Sequence, residues 1–196
     1  GALDDKEIAQ RFSNAILKNS EKLSYLLEDI LNLSTIESGE YNLELAENGV
    51  SDIFKNSINS VISNNPDIKI INNISSDVEV ICDVKALSQV IDNLIENSVK
   101  YGISKECNEI IINMKDQGSK VRFEIEDHGQ GIPADQRERV FERFFRIQNN
   151  NTSLKEGTGL GLSIVKNLVN LMGGSVGNEK AYPEGTIFWF TLNKKN

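Results

Sequence analysis

Apolar side chains recur through residues 5–37 at alternating steps of four and three. Phe12, Ile16, Leu23, Leu26, Ile30 and Leu33 form this seam, with one polar interruption at Asn19. That is a heptad pattern, and Ala15, Leu27 and Leu31 widen it towards the face a helix presents in a bundle. About thirty residues exceeds the usual length of a helix packed on its own domain. The pattern therefore predicts one long bundle helix, ended by Ser38-Gly39-Glu40.

From residue 41 the spacing changes. A second helix is predicted over Val50–Ile62, strands over Ile68–Ile74 and Val78–Cys82, and a helix over Val84–Tyr101. Glu109–Met114 and Val121–Glu126 alternate as paired antiparallel strands, with Phe123 and Ile125 set between Arg122, Glu124 and Glu126. A short helix over Ala134–Arg143, a polar loop over Gln148–Glu156, a helix over Thr158–Met172 stopping at Gly173-Gly174, and a strand over Thr186–Leu192 complete the expectation. The strands and helices alternate without a regular βαβ period. This predicts an α+β arrangement with helices layered on one face of a mixed sheet.

Composition narrows the picture. With 39% hydrophobic and 26% charged residues the chain reads as soluble and globular. Its longest apolar runs are too short to span a bilayer. A net charge of −8, with basic residues clustered only at Lys194-Lys195, disfavours a nucleic-acid partner. Cys82 and Cys107 lack metal-ligand spacing and suit a reducing compartment as free thiols. His128 is the single histidine.

Three segments carry candidate chemistry. On the helix 84–101, Asn93, Asn97 and Lys100 fall within about 60° of one another, opposite Val84, Leu87, Ile91, Leu94 and Ile95. A carboxamide oxygen can ligate Mg²⁺ without neutralising it, and an ammonium can meet a phosphate as a point charge. The same stripe also fits a solvated face. After a strand comes Asp127-His128-Gly129-Gln130-Gly131-Ile132. Its carboxylate can accept from an amine, and its glycines let backbone approach a flat ligand, although a tight turn looks similar. Gly157-Thr158-Gly159-Leu160-Gly161-Leu162 then runs into a helix and would present unshielded N–H groups to an anion. Lys166 falls outside Walker A spacing, and no strand lies immediately before the glycines as a dinucleotide fingerprint requires. A flexible hinge remains the alternative.

Together the segments are more specific. N-L-x-x-N-x-x-K-Y (Asn93–Tyr101), D-x-G-x-G (Asp127–Gly131), F-E-R-F-F-R (Phe141–Arg146) and G-T-G-L-G-L (Gly157–Leu162) follow in order, with Glu184-Gly185-Thr186 before the last strand. From about Asp5 to its end the chain resembles the bacterial sensor histidine kinases of two-component systems. The resemblance implies a two-layer α/β sandwich with a mixed sheet, shared with gyrase and mismatch-repair ATPases and preceded by one long bundle helix. It implies ATP and Mg²⁺ as ligands. Asn97 would hold the metal, while Asn93, Lys100 and Tyr101 would line the phosphate and ribose side. Asp127 would receive the adenine amine, Gly129, Gly131 and Ile132 would border the ring, and Arg146, after Phe144 and Phe145, could reach a phosphate. Gly157, Thr158, Gly159, Leu160, Gly161 and Leu162 would close a lid over the triphosphate.

The resemblance also divides the chain. Residues 1–40 would be part of a dimerisation and phosphoacceptor domain, supplying only the second helix of its hairpin, with Gly1 to Asp5 as the hairpin loop. Residues 41–196 would be the ATP-binding catalytic domain. The phosphoacceptor histidine would lie on the first helix, outside this chain; His128, inside the adenine loop, is no replacement. The implied activity is transfer of the γ-phosphoryl group of ATP to a histidine and relay to an aspartate of a response regulator, with this chain alone not expected to phosphorylate itself. The implied partners are a second kinase subunit, in a homodimer through the hairpin, and the receiver domain of a response regulator. The implied location is cytoplasmic, as part of a sensor that can be membrane-anchored. A gyrase-type ATPase is one rival, but such enzymes place a Glu where Asn93 stands, and a carboxamide takes no proton at neutral pH. A protein-serine kinase that inhibits sigma factors is another, whose relatives lack the long helix. A non-catalytic module with a vestigial site is the third.

Overall fold

The computed structural model describes residues 6–75, 78–103, 107–147 and 157–195. The predicted loop Gln148–Glu156 and the segment Gly1 to Asp5 lie outside them. The chain divides into two compact units, Gly1–Tyr41 and Asn42–Asn196.

The first unit is a single helix, α1 (Lys6–Glu37, 32 residues). At 1.5 Å per residue it is about 48 Å long. Gly39, at φ 73°, ends it in the left-handed conformation, while Glu40 and Tyr41 both donate to Thr35 O at 3.1 Å. Phe12, Ile16, Leu23 and Ile30 of the predicted seam are exposed. Among the described residues no helix is long and apolar enough to cross a membrane.

The second unit runs β1 (Ala46–Gly49), α2 (Ser51–Asn64), β2 (Lys69–Asn72), β3 (Glu79–Cys82), α3 (Val84–Tyr101), β4 (Glu109–Asp116), β5 (Lys120–Asp127), α4 (Gly161–Leu171), β6 (Ser175–Lys180) and β7 (Thr186–Asn193). Five strands form one sheet in the order β2-β4-β5-β7-β6. Only β2 and β4 are parallel, so the sheet is mixed as expected. β1 and β3 make a separate antiparallel pair, tied to the end of β7 by a bridge between Val80 and Lys194.

Alternation in the central strands sorts the layers. Val121, Phe123 and Ile125 of β5 and Phe188, Phe190 and Leu192 of β7 are buried. Phe123 lies 5.3 Å from Phe54 of α2 and 5.1 Å from Phe190, ring centre to ring centre. This is the face the helices cover. On the other face Arg122 stacks on Trp189 at 4.5 Å and pairs with Glu124 and Glu179. The result is a two-layer α/β sandwich with helices on one side of a mixed sheet.

Three sequence expectations are corrected. Ala134–Arg143 is not a helix; it makes two short 3₁₀ turns, Ala134–Gln136 and Arg139–Phe141. Tertiary bonds outweigh helix propensity here, because Phe141 turns in edge-on to Phe188 and the Phe144 N–H is taken by Gly159 O at 2.9 Å. The helix predicted from Thr158 starts at Gly161, since Gly159 at φ 74° cannot continue an α-helix. β1 and β6 have too little apolar alternation to be predicted, and pairing with β3 and β7 makes them strands.

Candidate functional site

α3 is the platform of the site. Asp83 caps it from an extended backbone, accepting from Ala86 N at 2.9 Å through Oδ1, while Oδ2 accepts from Glu44 N at 2.9 Å. Burial pushes this carboxyl up, but backbone N–H groups of Ala86, Glu44 and Lys85 outweigh it and hold the pKa below the usual value. Ala86, Leu87, Val90, Ile91, Leu94, Ile95 and Ser98 face the core. The predicted polar stripe stands clear of that face. Asn93 and Asn97 are half-buried and Lys100 is exposed, paired with Glu96 at 2.9 Å. Asn93 Nδ2 donates to Gln89 O at 2.9 Å. Its Oδ1 faces the start of α4 so closely that a Cβ on Gly161 would lie 2.5 Å from it.

β5 ends at Asp127, which is 4% exposed. One carboxylate oxygen, Oδ1, accepts from Gly129 N at 3.1 Å and Thr186 N at 3.3 Å. Oδ2 takes neither bond. Burial raises the Asp127 pKa; the Gly129 and Thr186 N–H groups, the charge of His128 and the nearby Ser98 hydroxyl pull it only partly back. Among the described residues the fully buried Ser98 Oγ makes no bond within strict hydrogen-bond geometry, so its pull on Asp127 is that of a nearby hydroxyl dipole.

The loop after Asp127 is wedged against the end of α3. A Cβ on Gly129 would lie 2.3 Å from Tyr101 O and 2.6 Å from Gly102 Cα, and one on Gly102 would lie 2.3 Å from Asp127 Cβ. Only glycines permit this approach. Gly131, at φ 72°, abuts Gly185 O, and Ile132 beside it is half-buried. His128 Nδ1 lies 3.4 Å from Glu184 O, which ties this loop to the turn before β7.

The glycine-rich segment closes the third side. Gly157 lies against the Tyr101 hydroxyl, 3.0 Å from where its Cβ would be. Thr158 Oγ1 accepts from Leu160 N at 3.1 Å. The Leu160 side chain is buried in the core, so only its backbone can face a ligand; Leu162 is half-buried. Among the described residues no side chain caps α4 at Leu160, which leaves the first-turn N–H groups of α4 to an anion. Phe144 and Arg146 are exposed, and Phe144 sits at φ 59°, clasped to Gly159.

Residues distant in sequence thus converge. Asn93 meets Gly161, Tyr101 meets Gly129 and Gly157, and Asp127 meets Gly102 and Thr186. Gly102 and Ser98 escaped sequence reading. The first looks like an ordinary helix end, and the second is a small residue on an apolar helix face. The arrangement offers a desolvated acceptor, a cradle that added Cβ atoms would fill, two carboxamides and an uncapped helix start. Those features fit a purine nucleotide with its phosphates over α3 and α4 and a hard cation held by carboxamide oxygen.

Residues 82–196 match the family model described as histidine kinase-, DNA gyrase B-, and HSP90-like ATPase. The chain is 30% identical over 197 residues to the sensor histidine kinase WalK of Bacillus subtilis, covering 100% of this chain and 32% of that protein. It is 30% identical over 190 residues to the sensory/regulatory protein RpfC of Xanthomonas campestris, covering 91% of this chain and 26% of RpfC. The chain therefore spans about a third or less of these relatives. Among solved structures, full-length ShkA in complex with AMPPNP is similar at 26% identity and a TM-score of 0.78, over 95% of this chain and 39% of that one.

Proposed function

The chain belongs to the family of histidine kinase-, DNA gyrase B-, and HSP90-like ATPases, as a histidine-kinase-type catalytic domain preceded by a long helix, and from that premise we propose that it binds Mg²⁺-ATP and delivers the γ-phosphoryl group to a histidine on a separate helix. The observation that carries this reading is the convergence of Asp127, Tyr101, Asn93 and Gly161 on one cradle. In this reading Asp127 Oδ2 accepts the exocyclic amine of adenine, while Oδ1 stays fixed by Gly129 and Thr186. Gly129, Gly131 and Ile132 border the base. Asn97 holds the metal through its carboxamide oxygen, and Mg²⁺, when bound, neutralises phosphate charge. Asn93, Lys100, Tyr101, Arg146 and the segment Gly157–Leu162 surround the phosphates and ribose. The protein's own contribution is positioning and electrostatics, as phosphoryl transfer requires.

Asn93 also argues against a hydrolase. Its Nδ2 is already donating to Gln89 O, and a carboxamide cannot take a proton from water near neutral pH. The expected partners are a second kinase subunit, through the helical hairpin, and the receiver domain of a response regulator. The test is incubation of the chain with labelled ATP, with and without a separate protein carrying the histidine hairpin. Acid-labile label on the hairpin protein alone supports the reading. Label on His128 of the isolated chain, or release of phosphate faster than transfer, overturns it.

A further inference from the structure

α3 carries one hydroxyl on its apolar face. Ser98 is fully buried and shares that face with Ile91, Leu94 and Ile95. Burying a hydroxyl without a compensating bond costs free energy, and alanine would fit there with a better helix propensity. A serine on a helix ordinarily bonds the carbonyl four residues back. Ser98 does not: among the described residues its Oγ meets no partner within strict geometry, the Leu94 carbonyl included. Its own helix therefore does not account for the hydroxyl.

The polar group beside it is Asp127. The Gly102 N–H donates to Ser98 O at 2.7 Å and closes the last turn of α3. A Cβ on Gly102 would lie 2.3 Å from Asp127 Cβ, 2.4 Å from Asp127 Cγ and 2.7 Å from Ser98 O. Glycine at 102 thus lets the Asp127 side chain settle on the turn that Ser98 begins. A carboxylate offers about four acceptor sites. Gly129 N and Thr186 N occupy two of them, from the loop and from β7. β4 sets the apolar Ile110 opposite, and the charged group that acts on the carboxyl is His128, on its own loop. From α3 comes the Ser98 hydroxyl, whose dipole works with those N–H groups and His128 against the effect of burial.

Given Asp127 as the acceptor of the adenine amine, a reading on which the role depends, we infer that Ser98 is a positioning residue for base recognition: its hydroxyl, directed at the Asp127 carboxylate from the α3 side, keeps that group an acceptor and leaves its open site to the exocyclic amine. Being fully buried, Ser98 acts only through Asp127. A protonated Asp127 would present a donor, which suits the 6-oxo group of inosine or guanine and not the amine of adenine. The hydroxyl favours the ionised form, so with Ser98 in place the preference for adenine persists to lower pH.

Two measurements on Ser98→Ala separate the steps. The ¹³C carboxyl resonance of Asp127, identified by its loss in Asp127→Asn, follows ionisation without nucleotide. Calorimetric titration with the Mg²⁺ complexes of ATP and of inosine triphosphate, across a pH series, follows the choice of base. Ser98→Ala is expected to protonate Asp127 at higher pH than the natural protein does. Its preference for ATP should be several-fold smaller than the natural one at mildly acidic pH and equal to it at alkaline pH. Ser98→Cys, which keeps a weak donor, should fall between the two in both measurements. An unchanged carboxyl titration overturns the proposal. A moved titration with an unchanged pH profile of base choice also overturns it, because Asp127 would then feel Ser98 while the base did not. Equal affinity of the natural protein for the two nucleotides at every pH overturns the reading of Asp127 instead, and the carboxyl titration still reports whether Ser98 acts on it.

Discussion

Replacing Asp127 by Asn changes one oxygen of the base-recognition site to nitrogen and little else. Oδ1 already accepts two backbone N–H groups, at 3.1 and 3.3 Å, so the Asn carbonyl must take its place and the NH₂ must take the place of Oδ2. A donor then meets the donor amine of adenine at a position only 4% exposed. Such an unmet pair costs about 2 kcal/mol, or roughly 30-fold in Kd. Guanine carries an acceptor at that atom, so discrimination between ATP and GTP should narrow by a similar factor. Stability should move the other way. Burial raises the Asp127 pKa. An acid with a raised folded-state pKa contributes stability below its unfolded value, about 3.9, and loses it as pH rises through the folded value. Asn never ionises, so the variant should gain on the natural protein as pH climbs from that value through the raised pKa, then hold level. Calorimetric titration with ATP and with GTP near neutral pH reads the first effect, and denaturant unfolding across a pH series reads the second. If Asp127→Asn keeps both its ATP affinity and its preference over GTP, the carboxylate does not face the base.

Asn97→Ala should lower affinity for ATP in the presence of Mg²⁺ by roughly 10- to 150-fold, the equivalent of a lost charge-assisted contact of about 1.5–3 kcal/mol, and should barely change melting without nucleotide, because the side chain stands off the buried face of α3; unfolding of the variant would make Asn97 structural. Gly129→Ala drives a Cβ to within 2.3 Å of Tyr101 O and 2.6 Å of Gly102 Cα. Both neighbours are backbone, so a cost near 3 kcal/mol is expected, a fall in Tm of roughly 6–12 °C. Gly118→Ala, at φ 80° with nothing within 4 Å, should cost only about 1 kcal/mol, and equal losses from the two would contradict the wedge between the Asp127 loop and α3. Phe12, Ile16 and Leu23 of α1 are 59%, 65% and 66% exposed, and each forfeits roughly 1.5–3 kcal/mol of burial while it stays in water. Sedimentation should show association of the chain that a version starting at Tyr41 lacks, and two monomers at every concentration would remove the bundle role of the stripe.

What sequence reading could reach depends on how local the cause is. α3 was legible to the residue, because its apolar period is a property of neighbours. β4 and β5 were legible from their alternation. β6 was not: Ser-Val-Gly-Asn-Glu-Lys has no strand pattern, and its central Gly177 is explained only by Trp189, whose Cζ2 would lie 2.4 Å from an added Cβ. β1, Ala-Glu-Asn-Gly, is likewise a strand only because β3 pairs with it.

The same distinction runs through the site. Asn93, Asn97, Asp127 and the glycines after it are recognisable as chemistry because residue type and spacing are local. The reasons behind Gly102, Gly161 and Gly159 are not. Gly102 makes room for Asp127, Gly161 for Asn93, and Gly159 for the backbone of Phe144, each distant in the sequence. A motif therefore names the atoms that can face a ligand, but the packing between motifs fixes where those atoms point. Asp127 shows the consequence most directly. Its carboxylate is aimed by Gly129 from its own motif and by Thr186 from the neighbouring strand β7, so substitutions near Thr186 that disturb that N–H should alter base selectivity without touching the D-x-G-x-G segment.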